Sequence, residues 1–480
     1  MQHHNRINHQ GLPSTSGLTL PVIDPATGET FAQIARSNAQ DVDLAVQGAR
    51  ACLQGPWAAL DATDRGRLLM ALSRRVSECA SELAAIEQRD CGKPTQQARA
   101  DVVALARYFE YYAGACDKLH GDTLPYRQGY TALSWREPHG VTGHVIPWNY
   151  PLQIFGRSVG GALAAGNVCV VKPAEDACLS LLRVSELMAE VGFPAGSIQI
   201  VTGLGHEAGQ ALCEHPGIDH ISFTGSPRVG TLVQQLAAAH HCPVTLELGG
   251  KSPQILFDDA PVDVALGFVI NAIVQNAGQT CSAGSRLLVQ RQLYEPLMQR
   301  LGEAFAQLRA GPPEMDLDLG PLIRASQLER VVSMLDEARA DGIVTAGQGV
   351  VVPQASARGF FHAPVLLRDV PPQHRIAQEE VFGPVLCAMP FEDEQEALAL
   401  AHATAFGLVA GVWTRDGARQ LRMAKALRCG QVFINNYGAG GGIELPFGGV
   451  GASGHGREKG FEALMGFTRL KTVAIRHDGI

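Results

Sequence analysis

At 480 residues the chain is too long for one ordinary hydrophobic core, so two or more domains are expected. Hydrophobic residues make up 46% and charged residues 18%, the balance of a globular protein with large cores. A formal net charge of -8 with no basic stretch argues against nucleic acid as a partner, and the lack of a run of about twenty apolar residues argues against a membrane span.

Residues 1–20 read as frayed. Met1-Gln2-His3-His4-Asn5 has no charged start leading into an apolar core, so no secretory signal is expected. The histidines at 3, 4 and 9 read as a polar terminus rather than a metal site. Periodic apolar positions predict a helical region over 40–118. Residues 119–138, with Gly, Pro and Tyr around the alternating run Thr131-Ala132-Leu133-Ser134-Trp135, predict a hairpin or arm.

From 139 the pattern becomes regular. Strands are expected at 141–146, 168–171, 198–201, 218–223 and 244–248. Helices are expected after Pro151, at 179–191, from about His206, and from Pro227. Alternation of this kind implies an α/β fold with a parallel sheet, whose ligands bind at the carboxyl ends of the strands. It resumes after 251, with strands at 254–257, 286–290, 408–413 and 431–434 and helices near 263–276, 291–309, 323–339 and 415–428. The tail Thr472-Val473-Ala474-Ile475 is an alternating strand, to be paired with a neighbouring subunit or with the 119–138 arm.

The polar motifs fall at strand ends. Pro147-Trp148-Asn149-Tyr150-Pro151 fixes a corner with two prolines and holds Asn149 in a defined place, where its amide suits a developing oxyanion or a local turn. Lys172-Pro173-Ala174-Glu175 offers a carboxylate for ribose hydroxyls, or a solvated pair. In Phe223-Thr224-Gly225-Ser226-Pro227 a glycine allows a tight turn into a helix whose free N–H groups can meet a phosphate. Glu380, before Val381-Phe382-Gly383-Pro384, could bind a second ribose.

Eleven cysteines are scattered without CxxC spacing or a His/Cys cluster, which fits a reducing, cytoplasmic setting better than a disulfide framework or a zinc site. Cys281 differs from the other ten. It stands in Gly278-Gln279-Thr280-Cys281-Ser282-Ala283-Gly284, a run of small residues that permits close approach of a ligand, whereas free cysteines are usually small buried hydrophobes. Upstream lies Glu247-Leu248-Gly249-Gly250-Lys251. A thiol can attack a carbonyl carbon, and a carboxylate can activate the water that releases the product.

Taken together, these motifs resemble the aldehyde dehydrogenase superfamily. The likeness runs from Ile23-Asp24-Pro25-Ala26-Thr27-Gly28-Glu29 to Pro446-Phe447-Gly448-Gly449 and Gly456-Arg457-Glu458. It implies a Rossmann-type NAD(P)-binding domain (1–118 and 139–250), a second α/β catalytic domain (251–450) and a small β oligomerisation arm (119–138 and 463–480). It also implies a homodimer or homotetramer. Cys281 is the implied nucleophile, Glu247 the general base, and Asn149 with the Cys281 N–H the oxyanion hole. Ile146, Trp148, Lys172, Glu175, Gly225, Ser226, Glu380 and Phe382 are implied in cofactor binding. NAD is expected as the cofactor, because the Glu175 charge would repel a 2′-phosphate, with NADP as the alternative. The implied partner is a small-molecule aldehyde, carried through a thiohemiacetal and a thioester to a carboxylic acid.

Two positions depart from the family pattern. Where many relatives place tryptophan and lysine, this chain has Arg157 and Ser158. Without the lysine, the usual relay between Glu247 and Glu458 is expected to run through water. Arg157 could pair with a substrate carboxylate or serve a structural ion pair. With Gln153 and Tyr150 it points to a polar, carboxylate-bearing semialdehyde. The glycine-rich segment Gly438–Leu445 reads as a mobile wall or a surface turn. A coenzyme-A-acylating semialdehyde dehydrogenase and a non-catalytic binding or structural relative are the competing readings.

Overall fold

In the computed structural model, residues 2–438 and 442–477 are described. The middle of the segment Gly438–Leu445, residues 439–441, lies outside them. Two large sheets organise the chain. The first has eight strands, in the spatial order Gly454–His455, Val244–Glu247, His220–Thr224, Val141–Ile146, Val168–Pro173, Ile198–Ile200, Asn5–Ile7 and Gln10–Leu12. Its five central members run parallel, and the short strands at both edges run antiparallel. Every residue of Val168–Pro173 and His220–Thr224 is buried, as strands covered on both faces require.

After the edge strands Asn5–Ile7 and Gln10–Leu12, the chain enters the parallel part of this sheet at its middle, with Val141–Ile146. It builds outward through 168–173 and 198–200, then returns to the other side through 220–224 and 244–247. The crevice of such a sheet opens where that direction reverses, at the carboxyl end of the entering strand. Pro147-Trp148-Asn149 occupy that end, and Pro151 then starts the buried helix Pro151–Ala164.

The second sheet has seven strands, ordered Val344–Gln348, Val365–Arg368, Val385–Phe391, Arg286–Gln290, Pro253–Leu256, Val409–Trp413 and Gln431–Ile434. Only the first runs antiparallel. The strands at 344–348, 365–368 and 385–391 are absent from the pattern expected from sequence, although 385–391 is a continuous apolar run. Arg286 is 2% exposed, and its guanidinium donates to the carbonyls of Lys251, Leu400 and Ala401 at 2.7, 2.7 and 2.8 Å. It thereby ties the start of one strand to a neighbouring helix end.

The N-terminus is not frayed. Gln2–His3 pairs with Gln33–Ile34, Asn5–Ile7 adds to the first sheet, and the buried Asn5 amide bonds Ser37 at 2.8 Å. The helical region resolves into Ala39–Gln54, Ala62–Glu78, Ala80–Cys91 and Thr95–Ala115. The tail strand Thr468–Arg476 pairs antiparallel along all of Tyr130–Pro138, which also carries Asp122–Leu124, so the tail joins the arm of its own chain. Among the described residues no helix is long and apolar enough to cross a membrane.

Candidate active site

Cys281 is presented by a loop that ordinary residues would not adopt unforced. Asn276, Ala277 and Gly278 have φ of +48, +52 and +75°, three left-handed residues in succession. The surroundings hold them there. The Asn276 amide donates to the carbonyls of Asn149, 2.9 Å, and Gln279, 3.2 Å, while the Gln279 carboxamide accepts the Ile323 N–H at 2.9 Å. On the other side a Cβ on Gly250 would collide with the Cys281 carbonyl, and one on Gly249 with the Glu380 carboxylate. The two glycines after Glu247 thus let the Glu247 strand, the cysteine loop and Glu380 meet at one place.

Two cavities adjoin there, and the residues common to their linings are Asn149 and Cys281. The larger, about 520 Å³, lies at the carboxyl ends of the first sheet's strands and is walled by Trp148, Gly225, Ser226, Glu247, Glu380 and Phe382, among others. The smaller, about 100 Å³, is walled by Tyr108, Tyr150, Gln153, Arg157, Phe447 and Lys459, among others.

In the larger cavity Ser226 caps the helix Pro227–Ala238, accepting the Val229 N–H, and Gly225 makes the turn before it. Glu380 accepts the Gly250 N–H at 2.9 Å, and burial pushes its carboxyl up to about 7. Phe382 has a left-handed φ of +56° and meets the Trp148 ring edge-on at 5.4 Å. Ile146, Lys172 and Glu175 stand at the ends of the two adjacent strands but outside the cavity lining. The Lys172 ammonium pairs with Glu175 at 2.8 Å. Burial pushes the Glu175 carboxyl up, but Lys172 outweighs it and holds the group below its ordinary value.

Glu247 is 1% exposed, and neither carboxyl oxygen has a hydrogen-bond partner among the described residues. Burial, and then the nearby Glu458, push its pKa well above the ordinary carboxyl range. Burial likewise pushes the Cys281 thiol up to about 11, against the pull of Arg157. Asn149 spends one amide hydrogen on the Gln279 carbonyl at 3.0 Å. Its Nδ2 carries a second hydrogen.

In the smaller cavity the Tyr150 hydroxyl meets Thr280 Oγ1 at 3.0 Å, and the Gln153 amide donates to Asp101 at 2.6 Å. Asp101, Glu87 and Lys93 form a buried ionic cluster, with the Lys93 ammonium 4.1 Å from the centre of the Tyr150 ring. Arg157 is 6% exposed. Its Nε edge is ion-paired with Glu458, and Nη2 donates to Thr224 at 3.2 Å. The cation missing from position 158 therefore reaches Glu458 directly from position 157.

Ser158 has a different use. Its hydroxyl donates to Ser222 at 3.0 Å, Ser222 donates to Glu458 at 2.7 Å, and His144 Nδ1 lies 2.5 Å from Ser158. Burial pushes His144 down to about 3, so its imidazole is neutral. Arg157→Leu would strand Glu458 in the interior, and a stability loss of about 3–5 kcal/mol is expected, read as a lower denaturation midpoint.

Sequence reasoning missed Asn276, Ser222, His144 and Lys459. Lys459 directly follows the Gly456-Arg457-Glu458 motif, a signal that could have flagged it.

The family model for the aldehyde dehydrogenase family matches residues 12–473. The hydroxyisobutyraldehyde dehydrogenase of Mycolicibacterium austroafricanum is 40% identical over 98% of this chain and 93% of its own. A Burkholderia cenocepacia structure assigned to the aldehyde dehydrogenases is 67% identical, covers 99% of this chain and 100% of its own, and superposes with a TM-score of 0.98. The NAD+ complex of an aldehyde dehydrogenase from Bacillus cereus is 36% identical, with a TM-score of 0.96 over 99% of this chain and 97% of its own.

Proposed function

This chain belongs to the aldehyde dehydrogenase family, and on that premise we propose a role for each residue at the junction of the two cavities. It is an NAD-dependent oxidoreductase that converts aldehydes to acids. The larger cavity suits a dinucleotide: the helix start behind Gly225 and Ser226 offers N–H groups to the pyrophosphate, and Glu380 offers a carboxylate to a ribose. NAD, when bound, supplies the hydride acceptor.

Cys281 adds to the aldehyde carbon to give a thiohemiacetal. The second amide hydrogen of Asn149 and the Cys281 N–H take the oxyanion. The thioester left after oxidation is hydrolysed by water that Glu247 deprotonates, a step suited to a carboxylate whose burial makes it a stronger base. The observation that supports this reading is the sharing of Asn149 and Cys281 by the two cavities, one of a size for the cofactor and the other for a small aldehyde.

We further propose a polar, carboxylate-bearing aldehyde as substrate. The smaller cavity is walled by Tyr150, Gln153 and Arg157, and the Arg157 charge biases it toward an anion even with its Nε edge held by Glu458. The arm carries exposed Trp135, Leu470 and Ile475, which supports assembly as a homodimer or homotetramer. Glu175 favours NAD+ over NADP+ by repelling a 2′-phosphate.

One assay tests these readings: NADH formation over aldehydes of graded length and charge, with and without coenzyme A. Turnover is expected without coenzyme A. Acyl product formed only in its presence would overturn the hydrolytic reading, and no turnover of any aldehyde would favour the non-catalytic one. NAD+ should exceed NADP+ in kcat/KM by about tenfold or more, the effect of roughly 1.4 kcal/mol of charge repulsion. A clear NADP+ preference would remove Glu175 as the selector.

A further inference from the structure

Tyr150 and Gln153 line the small cavity, and both are held from behind by a buried ionic cluster that the reaction steps above do not use. Glu87 comes from the helix Ala80–Cys91, Lys93 from the turn after it, and Asp101 from the helix Thr95–Ala115. The Lys93 ammonium pairs with Asp101 Oδ2 and, at 3.3 Å, with Glu87 Oε1, while Glu87 Oε2 accepts the Ser180 hydroxyl at 2.8 Å. All three charged side chains are buried. Burial pushes the Lys93 pKa down, but Asp101 and then Glu87 outweigh it and hold the group charged. The helix Pro151–Ala164, which carries Gln153, lies close against the Asp101 helix: a Cβ on Gly156 would come within 2.9 Å of the Tyr108 ring.

This cluster determines which end of the Gln153 amide meets the cavity. Asp101 Oδ2 is occupied by Lys93, and Oδ1 accepts the Gln153 side-chain N–H at 2.6 Å. A carboxylate paired with an ammonium only accepts hydrogen bonds, so Gln153 must turn its nitrogen toward Asp101. The opposite orientation would set two acceptor oxygens against each other. Among the described residues none donates to Gln153 Oε1, and that oxygen is the polar atom the side chain offers to the cavity it lines. Arg157 stands one helical turn further along the same face. The wall therefore sets a fixed hydrogen-bond acceptor beside a cation.

We propose that Gln153 is a specificity residue that accepts a hydrogen bond from a hydroxyl on the aldehyde's own chain, and that Asp101 is the positioning residue that aims it. A hydroxyl satisfies the Gln153 oxygen, whereas a methylene or an ether leaves it unpaired. A cavity of about 100 Å³ suits a short hydroxyaldehyde. The proposal rests on the small cavity as the aldehyde site. It goes beyond the acid-aldehyde reading, because an acceptor selects a donor whether or not the chain also carries a carboxylate.

The test measures kcat and KM for short aldehydes with a hydroxyl at successive carbons, each beside its O-methyl ether and its deoxy counterpart, with and without a terminal carboxylate. In the wild type at least one hydroxyl position should be favoured over both counterparts by about threefold to tenfold in kcat/KM, chiefly through KM. Gln153→Leu should bring that ratio close to one. Asp101→Asn lets the Gln153 amide sit either way round and should lower the ratio. Absence of a hydroxyl preference in the wild type, or a preference for the ethers, would overturn the proposal. So would a ratio retained in Gln153→Leu. A ratio unchanged in Asp101→Asn, with kcat lower for every substrate, would overturn the positioning role and leave Asp101 a structural residue. A hydroxyl preference without a carboxylate preference would sink only the acid-aldehyde reading, and no turnover of any aldehyde would overturn the site itself. The wild-type ratios need no variant, so they test the proposal even if both substitutions prevent folding.

Discussion

Replacing Cys281 with alanine is expected to lower NADH formation from every aldehyde by about ten-thousand-fold or more, the scale on which covalent enzymes lose rate with their nucleophile. The neighbours offer no substitute. Thr280 and Ser282 carry hydroxyls, poor nucleophiles without a base beside them. Nine of the other cysteines are buried, and Cys429, the other partly exposed one, lines a separate small cavity with Lys251 and Arg286. NADH binding, followed by quenching of protein fluorescence, should survive the substitution, because the larger cavity is walled by many residues besides Cys281. A residual rate within tenfold of wild type would transfer the chemistry to another group. Cys281→Ser gives a finer reading. Its hydroxyl fits the same space but ionises far less readily than a thiol, so it should behave nearly as alanine does.

The parts of this site legible in the sequence are those that lie at the ends of strands. Asn149, Gly225 and Glu247 follow short apolar runs, and a parallel sheet gathers such ends along one edge whatever the details of packing. Cys281 and Glu380 stand out by small or turn-forming neighbours. The missed parts depend on contacts between segments remote in sequence. Nothing in the local pattern around Arg157 says that Glu458 will reach it, and both readings of that arginine fit its one-dimensional context equally. The wire from His144 through Ser158 and Ser222 to Glu458 joins two strands, a helix and a loop and could be seen only once the sheet order was known. The N-terminal strands escaped for another reason. Gln2–His3 and Gln10–Leu12 are held by backbone pairing and carry little apolar alternation. The strands at 365–368 and 385–391 are fully or almost fully buried, so they lack the period of two that marks a half-exposed strand.

Glu247→Gln should separate the two halves of the reaction. The first half needs the thiol and the oxyanion donors, and these stay in place. The second needs a base for water, and the amide is none. A burst of NADH equivalent to the active sites is expected, followed by a steady rate about a hundredfold to ten-thousand-fold below wild type. Mass spectrometry of the quenched enzyme should find the acyl group on Cys281. The pH profile carries the same logic. Burial raises the Glu247 pKa, so its basic form grows as pH rises, and wild-type thioester hydrolysis should accelerate from neutral into alkaline solution while the glutamine variant stays flat. The variant should fold at least as well as wild type. It removes a buried carboxyl that faces Glu458, and the carboxyl oxygens it replaces have no hydrogen-bond partner among the described residues. A slow variant with neither burst nor acyl-enzyme would place Glu247 in the first half instead, as the group that takes the proton from a thiol which burial otherwise keeps protonated.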